Sequence, residues 1–195
     1  TTNDTDMYNT AVGYLAGTAV TTGIQNTIIG GLAGDALTTG SYNIAIGKET
    51  LSTDTKGSKS VALGNGNLFS QNFTTATDAY NVAVGHQAGL SVTTGIQNTL
   101  IGGLAGDALT DADLNVAIGV NALTGDTKGN KTTAIGYSTL ETQNFTTSTD
   151  SFNVAVGHEA GRAVTTGVNN TLIGGLAGDA LTDADDNVAI GQVAL

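Results

Sequence analysis

Disulfides and thiol chemistry are excluded at the outset, because the chain of 195 residues contains no cysteine. Proline and tryptophan are also absent, and the aromatic residues are five Tyr and four Phe. The bulky side chains of an ordinary globular core of this length are therefore missing. Charge is sparse and lopsided: 17 acidic residues stand against 6 basic ones, for a formal net charge of −11. An acidic surface repels phosphates and anionic lipid headgroups, so neither nucleic acid nor a membrane surface is an expected partner. No apolar run approaches the ~18 residues that a membrane-spanning helix needs, and no membrane insertion is expected.

What the chain has is 28 Gly together with Ala, Thr, Asn, Val and Ile, a mixture of strand and turn formers poor in helix formers. Such a composition suits disorder unless the apolar residues are ordered in sequence. Here they are. The segment Asn-x-Ala-x-Gly returns with its glycine at Gly13, Gly30, Gly47, Gly64, Gly85, Gly102, Gly119, Gly136, Gly157, Gly174 and Gly191. The spacing is 17 residues except for two steps of 21, Gly64 to Gly85 and Gly136 to Gly157. Three rungs of 17 and one of 21 form a super-repeat of 72, which makes Tyr14, His86 and His158 equivalent, and likewise Phe73 and Phe145.

The residue before each glycine is Val, Ile or Leu, from Val12 and Ile29 to Ile190, and the residue two positions earlier is always β-branched, from Thr10 to Val188. Period-two alternation predicts a strand with one face inward. The glycine suits a corner that needs positive φ. A second short strand is expected after it, at segments such as Thr18–Thr21 and Asp35–Thr38, followed by another corner at Gly23, Gly40 or Gly95. A rung of this size is one coil of a parallel β-solenoid, and eleven rungs at ~4.8 Å stack to roughly 50 Å.

Between the two positions expected to face inward stands Ala11, Ala45, Ala62, Ala83, Ala117, Ala134, Ala155 or Ala189, with Ile28, Leu100 and Leu172 in the second rung of each super-repeat. A free-standing coil would place polar residues on its outer face. Apolar residues on both faces of a strand imply that both faces are buried. The expectation is therefore a homotrimeric fibre, closed symmetry being the rule for identical chains, with Ile28, Leu100 and Leu172 at the contact between chains. The alternative is that alanine is tolerated at the surface.

Asn9-Thr-Ala-Val-Gly13, Asn115-Val-Ala-Ile-Gly119 and Thr165-Thr-Gly-Val-Asn-Asn-Thr-Leu-Ile-Gly174 resemble the repeats of phage tail-fibre shafts. They are also similar to the YadA-like head repeats of trimeric autotransporter adhesins, which are left-handed parallel β-rolls wound as trimers. The likeness covers essentially the whole chain, although the 17-residue rung is longer than the adhesin-head rung. It implies a homotrimer, a virion (tail-fibre) or extracellular, cell-surface location, and contact with a host receptor. It carries over no catalytic residue.

Other chemistry is thinly represented. His86 and His158 lie four rungs apart, so they could serve a metal only if three copies of one met on a trimer axis. No Ser-His-Asp or paired-carboxylate arrangement is visible, and neither an enzyme nor a cofactor is expected. Gly30–Thr38, Gly102–Thr110 and Gly174–Thr182 approach the calcium-binding nonapeptide, yet the copies lie 72 residues apart instead of following one another. Thr-Thr pairs such as Thr21-Thr22 and Thr93-Thr94 suggest an ice-binding row, interrupted by Asp54, Asp111, Asp126 and Asp183. The 21-residue rungs concentrate aromatics beside Asn and Thr: Phe69, Asn72, Phe73 and Tyr80, then Asn144, Phe145 and Phe152. These are candidates for contact with a receptor, a glycan among the options, through stacking and hydrogen bonding. Alternatively the phenylalanines pack over the Leu68 or Leu140 corner or between chains.

The expectation is one repeat domain over residues 1–195. The chain opens Thr-Thr-Asn-Asp and stops inside a repeat at Leu195, as an excerpt of a longer fibre would. Its expected function is the structural, receptor-binding shaft of a phage tail fibre that mediates host attachment. The alternatives are a bacterial trimeric adhesin head and, third, an ice- or calcium-binding solenoid.

Overall fold

The computed structural model describes residues 6–195, so the opening Thr-Thr-Asn-Asp lies outside it. Eleven strands, from Thr10–Val12 to Val188–Ile190, form one parallel sheet in which each strand pairs with that of the next rung. Pairing is in register with the repeat: Ala11 lies opposite Ile28, Ile28 opposite Ala45, and Ala83 opposite Leu100. The predicted parallel β-solenoid of 17-residue rungs is therefore present.

The predicted second strand of each rung is not. Residues after the corner glycine form successive turns instead, with left-handed backbone at Leu15 (φ 55°) and Gly17 (φ 58°) in the first rung. Two left-handed residues so close together bend the chain too sharply for an extended strand. Outside the main sheet the described residues hold only two small parallel pairs, Gly57–Ser58 with Thr77–Asp78 and Gly129–Asn130 with Thr149–Asp150. Glycine is required at the strand-ending corner for two reasons. Gly13 has φ 134°, and a Cβ there would stand 2.6 Å from the carbonyl oxygen of Gly30.

Inside and outside are also the reverse of the expectation. Ile28 (1 % exposed), Leu100 (0 %) and Leu172 (0 %) point into the coil of their own chain, together with the alanine column from Ala45 to Ala189. They are not contacts between chains. The outward residues are the larger ones, Val12, Ile29, Ile46 and their equivalents. A coil this thin has little room, so its strand can face inward only with small residues, and each exception is matched across the interior.

That matching explains the period of four rungs. Where the strand carries Ala45, Ala62, Ala117 or Ala134, the opposite wall of the same rung carries Leu51, Leu68, Leu123 or Leu140, all fully buried. Where the strand carries Ile28, Leu100 or Leu172, the opposite column holds glycine. A Cβ on Gly89 would stand 2.7 Å from Leu100 Cδ1, and one on Gly106 would stand 2.8 Å from Leu100 Cδ2. In the rung before, Ala11, Ala83 or Ala155 stands opposite Gly17, Gly89 or Gly161, and the large residue of the next rung reaches over that glycine, as Leu100 does over Gly89. The super-repeat is thus a volume pattern shared between rungs.

Beside the alanine column runs a buried ladder of asparagines. Each side-chain oxygen accepts from the backbone N–H of the next rung, as Asn26 Oδ1 does from Asn43 (2.9 Å), Asn81 from Asn98 (2.9 Å) and Asn98 from Asn115 (3.0 Å). Each amide nitrogen donates to the carbonyl of the following corner, Asn26 to Gly40 and Asn98 to Ala112. The turn backbone that no sheet satisfies is paired in this way.

Candidate receptor-contact site

The 21-residue rung departs from the others in one place. Thr55 Oγ1 reaches Asn72 at the ordinary separation of 17 residues, whereas the Asn72 N–H donates to Thr93 O, 21 residues on. The ladder is back at 17 by Asn81 and Asn98. The four extra residues therefore fall between Asn72 and Asn81, where the chain adds the small strand Thr77–Asp78.

A buried carboxylate anchors this excursion. Asp54 Oδ1 accepts from the N–H groups of Gly57 (3.0 Å) and Phe73 (3.1 Å), and Oδ2 accepts from Gln71 Nε2 (2.6 Å). Gln71 Oε1 in turn accepts from Asn81 Nδ2 (2.9 Å), and its amide nitrogen also reaches Ser60, which takes the ladder position in that rung. Asp126, Gln143, Asn153 and Thr132 repeat the network 72 residues later. These carboxylates are completely buried and fully partnered, so their role is to fix the loop rather than to bind.

The aromatic residues predicted as one contact surface are divided by this arrangement. Phe73 and Phe145 are buried, each lying against the glycine that follows the anchoring aspartate: a Cβ on Gly57 would stand 2.8 Å from Phe73 Cδ2. They pack and cannot stack on a ligand. Phe69 is half-buried, and Asn72 and Asn144 are exposed while accepting from Thr55 and Thr127. Tyr80 (49 % exposed) and Phe152 (52 %) stand out from the corner before the next strand.

Each exposed ring has a lysine of the preceding rung over it. Lys59 Nζ lies 5.0 Å from the Tyr80 ring centroid and donates to Asp78 (2.7 Å) and to the Tyr80 hydroxyl (3.0 Å). Lys131 lies 5.0 Å from the Phe152 centroid and is bonded to Asp150. Hydrogen bonds to Asp78 and then Tyr80 push the Lys59 ammonium above its ordinary range, and the bond from Lys131 holds the Asp150 carboxyl below its own. A depressed carboxyl pKa means the Asp150 pairing is complete above the ordinary carboxylate range and lost as pH falls through the lowered value. Both pairs lie in solvent and add little stability; they hold the rings in place. Lys59, Lys131, Asp78 and Asp150 were missed in the sequence, although their recurrence at 72 residues beside Tyr80 and Phe152 was a usable signal.

Other candidates separate. His86 and His158 are exposed four rungs apart; His158 stacks on Tyr137 with ring centroids 5.2 Å apart. No group of three or more His, Cys, Asp or Glu gathers among the described residues. In the nonapeptide-like segment, Asp35 Oδ1 accepts from Ser52 Oγ of the next rung (2.7 Å). The threonine row also turns to its own scaffold, Thr38 Oγ1 donating to Thr55 O (2.8 Å) and Thr110 Oγ1 to Thr127 O (3.0 Å).

No known protein family, curated protein or solved structure matches the chain.

Proposed function

We propose that the chain is the shaft of a receptor-binding fibre, assembled as a homotrimer and carried on a virion as part of a phage tail fibre. The observation that supports this most is the outer face of the sheet. Its two outward columns, Thr10 to Val188 and Val12 to Ile190, contain only Thr, Val, Ile and Leu over all eleven rungs, with no charge. Ile44 (39 % exposed), Leu63 (43 %) and Ile173 (39 %) are open to solvent along it. The strip is about 50 Å long and about 10 Å wide, a contiguous apolar surface of the kind that soluble proteins cover with a partner.

A second copy of the same chain suits that strip. The columns are straight and in rung-for-rung register, so parallel copies match along their whole length, and a threefold axis lets every strip meet two others with all chains pointing one way. On this reading the faces of the strand are exchanged: alanine packs within the chain, and the aliphatic residues pack between chains. The cross-rung hydrogen bonds make a stiff rod, and the exposed rings on its side supply the contact with a host-surface receptor. Neither catalysis nor a cofactor is part of this role. The rings along the lateral edge also suit a bacterial trimeric adhesin head, which is the second reading.

Immunogold electron microscopy of the source material separates the two. Antibody raised against the chain is expected to decorate thin fibres on virions. Label on the bacterial surface instead transfers the chain to the adhesin, and label on neither structure contradicts both.

A further inference from the structure

The residue that turns each rung into its strand is Tyr8, Gln25, Tyr42, Lys59, Tyr80, Gln97, Leu114, Lys131, Phe152, Asn169 or Asp186, all with left-handed backbone, φ 47° to 62°. Glycine is the least strained choice for that conformation. It stands at none of the eleven positions, in a chain that uses it freely elsewhere. A side chain is kept at this edge, as it also is at the left-handed positions Leu15, Leu32 and Glu49 after the glycine corner, and four of the nine aromatics are among the edge residues. The sequence along the edge is ordered: a ring (Tyr8, Tyr80, Phe152), then an amide in the next rung (Gln25, Gln97, Asn169), with lysine two rungs later at Lys59 and Lys131.

The apolar strip continues aliphatic through every rung, whereas this edge alternates rings with amides and ammonium groups. That alternation is unsuited to a dry contact between chains and suited to a ligand with both apolar and hydroxyl faces. The lysine of the preceding rung lies over each ring and is held by Asp78 or Asp150, two residues before the ring, so the side toward the amide of the next rung is left for a ligand. Tyr80 and Phe152 are four rungs apart, roughly 19 Å, and Tyr42 stands two rungs before Tyr80.

Building on the receptor-binding reading above, we infer that this edge is a ladder of equivalent carbohydrate sites for a repeating, hydroxyl-rich polysaccharide. In each site the C–H face of a sugar ring lies against Tyr80 or Phe152. The Gln97 amide, or the side-chain oxygen of Asn169, whose amide nitrogen donates to Asp186 (3.0 Å), meets its hydroxyl groups. One polymer spans neighbouring sites, so binding of a long chain exceeds that of its single unit through effective concentration.

The test uses the purified 195-residue protein on a printed array of neutral and acidic oligosaccharides and bacterial polysaccharides, followed by calorimetric titration with the strongest array ligand and its monomeric unit. At least one polysaccharide is expected to bind, its monomeric unit more weakly. Tyr80→Ala or Phe152→Ala should each weaken polymer binding at least 10-fold, and the pair should abolish it with melting temperature and light-scattering mass unchanged. Phe152→Tyr should retain binding, and Gln97→Ala should weaken it without altering the rings. Silence across the array, or binding indifferent to the double variant, overturns the ladder while leaving a trimeric shaft intact. A double variant that loses its assembled mass also overturns it, by placing the rings between chains. A monomer that binds polysaccharide retains the ladder and removes the shaft.

Discussion

Leu100→Asp is expected to abolish cooperative folding of the central rungs, with loss of the main thermal transition in circular dichroism. Leu100 is completely buried within its own chain, between the strand column and the glycines of the opposite wall. Removing a buried leucine costs about 2–5 kcal/mol, toward the upper end where the cavity cannot close. Closure is restricted here, because Gly89 and Gly106 have no side chains to move in and only Leu68, Val92 and Leu109 beside them can relax toward the gap. Burying an unpartnered carboxylate adds several kcal/mol more. Together these approach the whole stability of a domain, and in a solenoid the damage concentrates on the rungs that touch the site. Gln97→Asp, at an exposed corner three residues away, should stay within about 0.5 kcal/mol of the parent. A Leu100→Asp protein that melts like its parent would show that residue 100 faces water.

The second large effect is expected from Asp54→Ala. The substitution strips the acceptor from two backbone N–H groups, those of Gly57 and Phe73, and from the Gln71 amide, in a place closed to water. The Gln71 amide keeps Ser60 as a partner, and each of the two stranded backbone donors costs about 1–3 kcal/mol, so a loss of about 2–6 kcal/mol is expected in chemical denaturation. The Phe73 amide should also lose its protection from hydrogen exchange, because the loop that it anchors is released. Asp126→Ala acts on a separate copy four rungs away, and the two losses should add within about 0.5 kcal/mol. Protection of Phe73 that survives in Asp54→Ala would mean that the ring, not the carboxylate, holds the loop.

These two residues also mark what was legible in the sequence. The spacing of Gly13, Gly30 and Gly47 was enough for the rung, the parallel sheet and the super-repeat, because in a solenoid each corner repeats wherever the chain passes it. The direction of the strand was not legible from the strand itself. Alanine on one face and Val or Ile on the other are both apolar, and size alone places the larger set inward, as in a thick core. The deciding signal lay across the rung: Ile28 and Leu100 share their rungs with Gly34 and Gly106, and Ala45 and Ala62 share theirs with Leu51 and Leu68. Comparing columns by summed volume would have found it.

The same reversal hid the asparagine ladder. The asparagine of Asn-x-Ala-x-Gly is plain as a recurring residue, but it sits two positions before the alanine and turns inward only if the alanine does. The turns opposite the sheet resemble strands in sequence because Thr and Val favour strands, whereas left-handed φ at Leu15 and Leu32 leaves no mark that propensity can detect. In the 21-residue rung, Phe73 and Tyr80 look alike in sequence; the Asp54 carboxylate draws the first into the coil and the corner turns the second out.

The outward aliphatic strip is the basis for assembly, and the mass of the particle in solution tests it most directly. Multi-angle light scattering on the purified 195-residue protein at micromolar concentration is expected to give about three times the 19.4 kDa chain mass. A particle of 19.4 kDa that stays soluble and folded would contradict the account, since the strip would then face water along its whole length.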